Sequence, residues 1–196
     1  EVAADRLRTV NAVAAAYVDT SISFIRGPGG DLDISNRIQS FLGVPTVSTS
    51  TAVVHACQAL RISSIGVLTV YVDEVNDTMP TFFEPQGIRV ARMQKAVSNM
   101  EAGNTSEQLG QMTPAELVEL GRSIDADDVG AIFIPCTAVR TLDAIEPLED
   151  AIGNPVISAI QATMWRVARL ARLSHDAPQG GKLFEIVGHQ VVLASR

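Results

Sequence analysis

Cysteine and histidine are scarce in this chain, and their spacing argues against two common ways of holding a fold together. Only two cysteines, Cys57 and Cys136, occur among 196 residues, with no CxxC pair and no cluster of histidines. A disulfide framework and a structural zinc site both need more Cys or His ligands at close spacing. The sequence therefore predicts neither of them, and it predicts no bound metal or cofactor.

Basic residues and long apolar runs are scarce as well. The chain has 15 Lys and Arg against 22 Asp and Glu, a formal net charge of −7. Because a nucleic-acid surface needs Lys and Arg to neutralise phosphates, binding to nucleic acid is disfavoured. No run of 18 apolar residues and no signal-peptide pattern occurs, so we expect a soluble, cytoplasmic protein without a membrane segment. The sequence starts at Glu1, inside a helical pattern and without methionine, and we expect a missing N-terminal segment.

Short apolar runs alternate with longer amphipathic ones, which indicates strands that alternate with helices. Predicted strands are 12–18, 44–47, 65–70, 88–92, 131–135 and 155–157, and predicted helices are 3–9, 32–42, 51–60, 73–86, 113–123, 141–152 and 159–173. The strands lack polar alternation, as expected for strands buried on both faces. The pattern predicts an α/β fold with parallel sheets, in which ligands bind at the carboxyl ends of strands. No G-x-G-x-x-G motif follows a strand, which disfavours a nucleotide-binding Rossmann domain.

The chain also contains an internal repeat. The stretch LDISNRIQSFLGVPTVSTSTA begins at Leu32, and LDAIEPLEDAIGNPVISAIQA begins at Leu142. Six identities share one offset of 110 positions (142 − 32 = 110) without a gap. We interpret them as two pseudo-symmetric, flavodoxin-like α/β halves, residues 1–60 with 159–196 and residues 61–158, although generic helix–Gly–x–Pro–strand units are the alternative.

Extending the repeat upstream aligns two strand ends. Asp19-Thr20-Ser21 corresponds to Cys136-Thr137-Ala138, and the first copy has a longer loop, FIRGPGG (24–30), before its helix. We interpret the glycines of this loop as a flexible lid or a plain linker. If the two halves pack face to face, Asp19 and Cys136 lie opposite each other across a cleft.

The position of Cys136, at a strand end before a helix, is suited to catalysis. A loop that leaves a parallel strand and enters a helix offers unpaired backbone N–H groups and a positive dipole end. That field lowers the pKa of a thiol and binds a carboxylate, with hydroxyl donors from Thr20, Ser21 and Thr137 nearby. Such a thiol serves as a proton donor or as a nucleophile. The alternative is a buried, inert cysteine, which is our interpretation of Cys57 in its helix.

Several stretches together resemble a known family. They are DTSISFIRG (19–27), GVPTVSTSTAV (43–53), RISSIGVLTVYVDEVN (61–76), PCTAVRTLDAI (135–145), GNPVISAIQATMW (153–165) and GKLF (181–184). Their order and content resemble the Asp/Glu/hydantoin racemase superfamily, in the branch of arylmalonate decarboxylase and maleate cis–trans isomerase. The resemblance implies two pseudo-symmetric α/β halves with the active site between them, and a first strand and loop before Glu1.

The resemblance also implies roles for individual residues. Cys136 matches the cysteine shared by the branch, whereas Asp19 stands where racemases and isomerases have a second cysteine and the decarboxylases have glycine. The carboxylate-binding positions of the decarboxylases match Thr20, Ser21, Tyr71, Thr137 and Ala138. On position alone, Tyr71 is an ordinary residue at the start of a helix.

Asp19 has four interpretations that the sequence leaves open. An ionised Asp19 at about 4 Å from a substrate carboxylate would cost on the order of 4 kcal/mol at an effective dielectric near 20. Asp19 is therefore protonated, or it faces a cationic or neutral part of the substrate. Otherwise it is a second acid/base, or it points away and caps the next turn.

The function that we expect is a cofactor-independent reaction on a small carboxylic or dicarboxylic acid, of the arylmalonate decarboxylase type. Cys136 would then protonate an enediolate-like intermediate. The alternatives are a maleate isomerase or an Asp/Glu-type racemase that uses Cys136 with Asp19, and a non-catalytic protein that binds small acids. The expected ligand is a small carboxylate, and the sequence leaves a homodimer open.

Overall fold

The structure, a computed structural model, describes residues 2–96, 110–173 and 179–186. Within these residues the fold is α/β with two parallel sheets. The strands are β1 Ala15–Tyr17, β2 Thr46–Ser48, β3 Ser64–Thr69, β4 Arg89–Lys95, β5 Ala131–Ile134 and β6 Val156–Ser158. One sheet pairs β1 with β2, and the other has the order β4-β3-β5-β6. This confirms the predicted fold class, and every predicted strand overlaps an observed one.

The α-helices connect and cover these strands. They are α1 Val2–Leu7, α2 Ser21–Arg26, α3 Gly30–Leu42, α4 Thr49–Ala59, α5 Asp73–Asn76, α6 Met79–Phe83, α7 Pro114–Ile124, α8 Leu142–Ile152, α9 Ala159–Leu170 and α10 Gly181–Glu185. Short 3-10 segments cover Arg8–Val10 and Glu84–Gln86. No helix in the described ranges has the length and apolar character needed to cross a membrane.

Two predictions about helices were wrong. The single helix expected over 73–86 is divided into α5, α6 and a 3-10 segment, with Pro80 and Pro85 in the first turns of the last two. Proline has no N–H to donate and clashes with the preceding turn, so one continuous helix cannot run through both positions.

The second error concerns the loop expected over 24–30. Its first part belongs to helix α2, and only Gly27–Gly29 separates α2 from α3. Gly27 has φ 73° and Gly29 has φ 89°, a conformation that glycine adopts without steric cost. These glycines therefore form a tight linker between two helices. Helix α10 was not predicted either.

Hydrogen bonds repeat between the halves at the offset of 110 positions seen in the sequence. The side-chain oxygen of Gln39 accepts from Thr46 N at 3.2 Å, and Glu149 Oε1 accepts from Val156 N at 2.8 Å. Each bond ties the helix before a strand to the start of that strand. The repeated sequence therefore corresponds to a repeated local structure.

A second pair of contacts repeats at the carboxyl ends of β2 and β6. Ser48 Oγ donates to Asp31 Oδ2 at 2.5 Å, and Thr141 Oγ1 donates to Ser158 Oγ at 2.9 Å. Ser48 and Ser158 also cap α4 and α9, because each hydroxyl accepts the backbone N–H three residues on. The division into residues 1–60 with 159–196 and residues 61–158 nevertheless stays a prediction.

An aromatic cluster attaches α2 to the rest of the core. Phe24 of α2 packs against Phe82 and Phe83 with ring centroids 5.3 and 5.6 Å apart, and Phe83 packs against Phe133 of β5 at 5.7 Å. Phe24 is almost completely buried. Each such pair contributes about 0.5–1.5 kcal/mol beyond the burial of area. The cluster therefore fixes α2, and with it Thr20 at the amino end of that helix, against the four-stranded sheet.

Candidate active site

Asp19 and Cys136 occupy equivalent positions at the ends of two strands. In the first sheet Ala15 pairs with Thr46, and in the second Ile132 pairs with Val156. Thr46 and Val156 are related by the repeat, so Ala15 is equivalent to Ile132, an offset of 117 (132 − 15 = 117). The same offset relates Asp19 to Cys136 (136 − 19 = 117). The register of the sheets therefore supports the equivalence that the sequence predicted.

The backbone at Cys136 has an unusual conformation. Its φ is 73°, in the left-handed region, whereas Asp19 does not share this conformation. A non-glycine residue in that region stores about 1–2 kcal/mol of strain, which the surrounding structure must offset. The side chain of Cys136 is partly exposed and its thiol is free. This combination contrasts with Cys57, which is completely buried and whose thiol pKa is raised to about 12 by burial.

Tyr71 connects the two strand ends. It lies two residues after the end of β3, its hydroxyl shares a hydrogen bond with the Thr20 hydroxyl, and its ring packs against the same apolar cluster as Cys136. Burial raises the pKa of the phenol far above its ordinary value, and the nearby charges of Cys136 and Asp19 raise it further, while the bond to Thr20 lowers it. Tyr71 is therefore a neutral phenol at physiological pH. A neutral phenol in this position donates a hydrogen bond to an anionic ligand.

The main chain of Tyr71 is held by a buried polar network. Thr69 Oγ1 donates to Asn76 Oδ1 at 2.7 Å and accepts from Tyr71 N at 3.1 Å. Asn76 Nδ2 donates to Tyr71 O at 3.0 Å. Thr69 is fully buried and Asn76 nearly so, and a satisfied network of this kind rigidifies the residues that it joins. Sequence reasoning missed both residues, although a Thr two before and an Asn five after Tyr71 were visible in the string TVYVDEVN.

Asp19 lies beside this group and caps α2. Its Oδ1 accepts from Ile22 N at 2.8 Å, an acceptor position at the first turn of that helix. Its charge acts on the phenols of both Tyr71 and Tyr17. Of the four interpretations of Asp19, the capping contact is therefore present, and the carboxylate also remains within electrostatic reach of Tyr71.

The other predicted binding residues lie at the same strand ends but are not hydrogen-bonded to Tyr71 within the described part of the chain. Ser21 is the first residue of α2, and Thr137 and Ala138 form the turn after Cys136. All three are partly exposed. Among the described residues, a hydrogen bond joins Thr20 to Tyr71, but none joins Ser21, Thr137 or Ala138 to Tyr71. Their part in binding a ligand therefore stays a prediction. The described residues contain no group of three His, Cys, Asp or Glu side chains arranged to hold a metal ion.

Known proteins resemble the chain in sequence and in structure. A family model for arylmalonate decarboxylase matches residues 1–184. The arylmalonate decarboxylase of Bordetella bronchiseptica is 30% identical over 186 residues, which cover 93% of this chain and 75% of that protein. The maleate isomerase of Geobacillus stearothermophilus is 23% identical over 174 residues, which cover 86% and 67% of the two chains. A crystal structure of arylmalonate decarboxylase superposes with a TM-score of 0.83 at 28% identity, covering 93% and 79% of the two chains.

Proposed function

The chain belongs to the arylmalonate decarboxylase family, as the sequence indicated, and we propose that Cys136 is the proton donor of its reaction on a small carboxylic acid. The relatives are lyases and isomerases, so the chain is an enzyme of the decarboxylase or isomerase type. The alternative of a non-catalytic binding protein loses its support.

One observation carries the proposal: the hydrogen-bonded hydroxyls of Thr20 and Tyr71 and the thiol of Cys136 lie at the carboxyl ends of β1, β3 and β5, with Tyr71 and Cys136 packed against the same apolar cluster. Because parallel strands present ligand sites at this edge, a substrate bound here contacts all three groups. The strained backbone of Cys136 supports the same proposal, because such strain is concentrated at functional sites.

The substrate carboxylate is held by hydroxyl and backbone donors. The neutral Tyr71 phenol and the Thr20 hydroxyl donate to it, and we include Ser21, Thr137 and Ala138 as further donors through their hydroxyl or backbone N–H groups. Donors fixed in advance stabilise the charge that develops during the reaction, and the loss of one typically costs about 2.7–4 kcal/mol in the barrier. The network of Thr69 and Asn76 keeps the Tyr71 donor in place.

Decarboxylation then takes two steps. The bond between the α-carbon and the second carboxylate breaks, carbon dioxide leaves, and the bonding electrons remain on the substrate as an enediolate. Cys136 next transfers its S–H proton to the α-carbon, and the thiolate regains a proton from solvent. A single thiol on one face of the substrate makes this protonation one-sided.

Isomerisation is the second candidate, favoured by the similarity to maleate isomerases. The Cys136 thiolate would add to a carbon–carbon double bond, and the adduct would rotate about the resulting single bond before the thiolate leaves. Racemisation needs an acid/base on each face, and Asp19 is the candidate for the second.

The experiment that separates these reactions is incubation with an arylmalonate, maleate, aspartate and a hydantoin in deuterated water. We expect release of carbon dioxide from the arylmalonate and one deuterium on the α-carbon of the product. The Cys136→Ala variant is expected to lose turnover and to keep most of its affinity for the substrate. Activity within a few-fold of wild type in that variant would show that Cys136 is not the proton donor.

Two further predictions accompany this function. We propose that the protein is cytoplasmic, and that it forms a homodimer, which light scattering after size-exclusion chromatography tests. A mass of one chain, 20.9 kDa, at micromolar concentration would contradict the dimer.

A further inference from the structure

We propose that Asp19 selects substrates that carry an ammonium group, or another cationic group, on the reacting carbon. This inference rests on the function proposed above, since it concerns the same site. It makes an amino-substituted small acid the preferred substrate class, rather than an arylmalonate or maleate, which carry only anionic and apolar groups.

The first step concerns the place of Asp19. It occupies the position in the first half that Cys136 occupies in the second, and it directly precedes Thr20. The Thr20 hydroxyl is bonded to the Tyr71 hydroxyl, and Tyr71 packs against the same apolar cluster as Cys136. A substrate with its carboxylate on Tyr71 and Thr20 therefore lies beside Asp19, the residue next to Thr20.

The second step concerns the orientation of its carboxylate. Oδ1 is engaged with Ile22 N at 2.8 Å, which fixes the carboxylate at the amino end of α2. This bond uses one of two carboxylate oxygens, so acceptor capacity remains for a ligand. Asp19 is half-buried rather than turned into bulk solvent.

The third step concerns charge balance. Within the described ranges Asp19 takes part in no ion pair, although the opposite charges of Asp19 and Arg26 both act on the Tyr17 phenol. A carboxylate without an ion-pair partner beside a carboxylate-binding site repels a purely anionic substrate. The same carboxylate attracts an ammonium group through a charge-assisted hydrogen bond. A substrate that carries both an ammonium group and carboxylates therefore fits the site better than a substrate with carboxylates alone.

The test compares aminomalonate with methylmalonate, which differ by an ammonium group in place of a methyl group of similar size. Asp19→Asn is the variant, because an asparagine side chain still accepts from Ile22 N and retains the helix cap. Asp33→Asn is the matched control, since Asp33 is an exposed carboxylate in the first turn of α3. Binding of both ligands is measured by calorimetry in the Cys136→Ala background, and turnover is measured in proteins that retain Cys136.

We expect the Cys136→Ala protein to bind aminomalonate about ten-fold or more tightly than methylmalonate, as a hydrogen bond to a charged group allows. Adding Asp19→Asn should abolish that preference, whereas adding Asp33→Asn should keep it. An unchanged preference in Asp19→Asn, a preference for methylmalonate, or no binding of either ligand would overturn the inference. Binding selectivity without any turnover would instead contradict the proposed function and leave the role of Asp19 intact.

Discussion

The side-chain amide of Asn76 holds the main chain of Tyr71, with 3.0 Å between Asn76 Nδ2 and Tyr71 O. Thr69 closes the network, because its hydroxyl donates to Asn76 and accepts from Tyr71 N. Thr69 ends β3, Asn76 ends the short helix that follows it, and Tyr71 lies in the connection between them. The network therefore sets the position of the phenol that is bonded to Thr20 and packs against the same apolar cluster as Cys136.

Removing the Thr69 hydroxyl is expected to impair catalysis through Tyr71. Thr69→Val keeps the shape of the side chain but frees Asn76 and Tyr71 N, so the phenol loses its fixed position and kcat should fall about ten-fold. Tyr71→Phe alone should lower kcat by about 10²–10³, the loss typical of one donor to a developing charge. Steady-state kinetics of both single variants and of the double variant measure how strongly the effects of Thr69 and Tyr71 on kcat are coupled.

The double variant separates positioning from a general loss of stability. Once the phenol hydroxyl is gone, Thr69→Val should have little further effect on kcat, because the two changes act through one group. Thr78→Val is the control, since the Thr78 hydroxyl donates to Val75 O at 2.7 Å and, among the described residues, forms no hydrogen bond with Tyr71. Fully additive effects in the double variant would show that Thr69 acts by another route.

The left-handed backbone of Cys136 leads to a prediction about stability. Cys136→Gly should be more stable than Cys136→Ala by about 1 kcal/mol, because glycine adopts a φ of 73° without strain. Both variants lack the thiol, and both should lack turnover. Urea unfolding of the two variants gives the difference in the free energy of unfolding. If the alanine variant were the more stable, the backbone at this position would not be under strain.

The strands could be predicted from the sequence, and so could the equivalent positions of Asp19 and Cys136 at the ends of two of them. Strands of parallel sheets are buried on both faces, so β3 and β5 appear as short, continuous apolar runs. The repeat then fixed the equivalence of the strand ends, because Gly43 and Pro45 recur as Gly153 and Pro155 without a gap. The apolar pattern and the repeat were enough here, because strand position and the equivalence of the strand ends follow directly from residue type and order.

The contacts of the site depend on tertiary packing and left no local signal. The bond from Thr20 to Tyr71 joins residues 51 positions apart. Helix α2 stands in a stretch with two glycines and a proline at its end, and packing of Phe24 against α6 stabilises it. The conformation of Cys136 was likewise hidden, since cysteine has no preference for positive φ.

The burial of Phe24 predicts that α2 depends on its aromatic contacts. Phe24→Leu should lower the free energy of unfolding by about 1–2 kcal/mol through lost packing, and it should raise KM because Thr20 and Ser21 become less well placed. Ile25→Ala is the matched control in the same helix, because Ile25 is 61% exposed and its loss should change stability by less than about 0.5 kcal/mol. Equal effects of the two substitutions would contradict the anchoring role of Phe24.

His55 makes stability depend on pH. Burial first, and then the charge of Arg166, lower the pKa of this imidazole to about 4, with Asp31 partly opposing both effects. Its Nδ1 is buried and has no hydrogen-bond partner among the described residues. The unfolded chain therefore binds a proton on His55 below about pH 6.5, where the folded chain does not. The stabilisation from the neutral form is complete above that pH and is lost as the pH falls towards 4.

Replacing His55 by glutamine should remove this dependence. We expect wild type to lose on the order of 1–2 kcal/mol more than His55→Gln between pH 7.5 and pH 5, after allowance for partial exposure of the ring. Urea unfolding of both proteins at the two pH values gives the comparison, and carboxylates that titrate in this range contribute equally to both proteins. The same loss in both proteins would mean that His55 is protonated in the folded chain at pH 5, and that its imidazole reaches solvent despite the packing of α4 against α9.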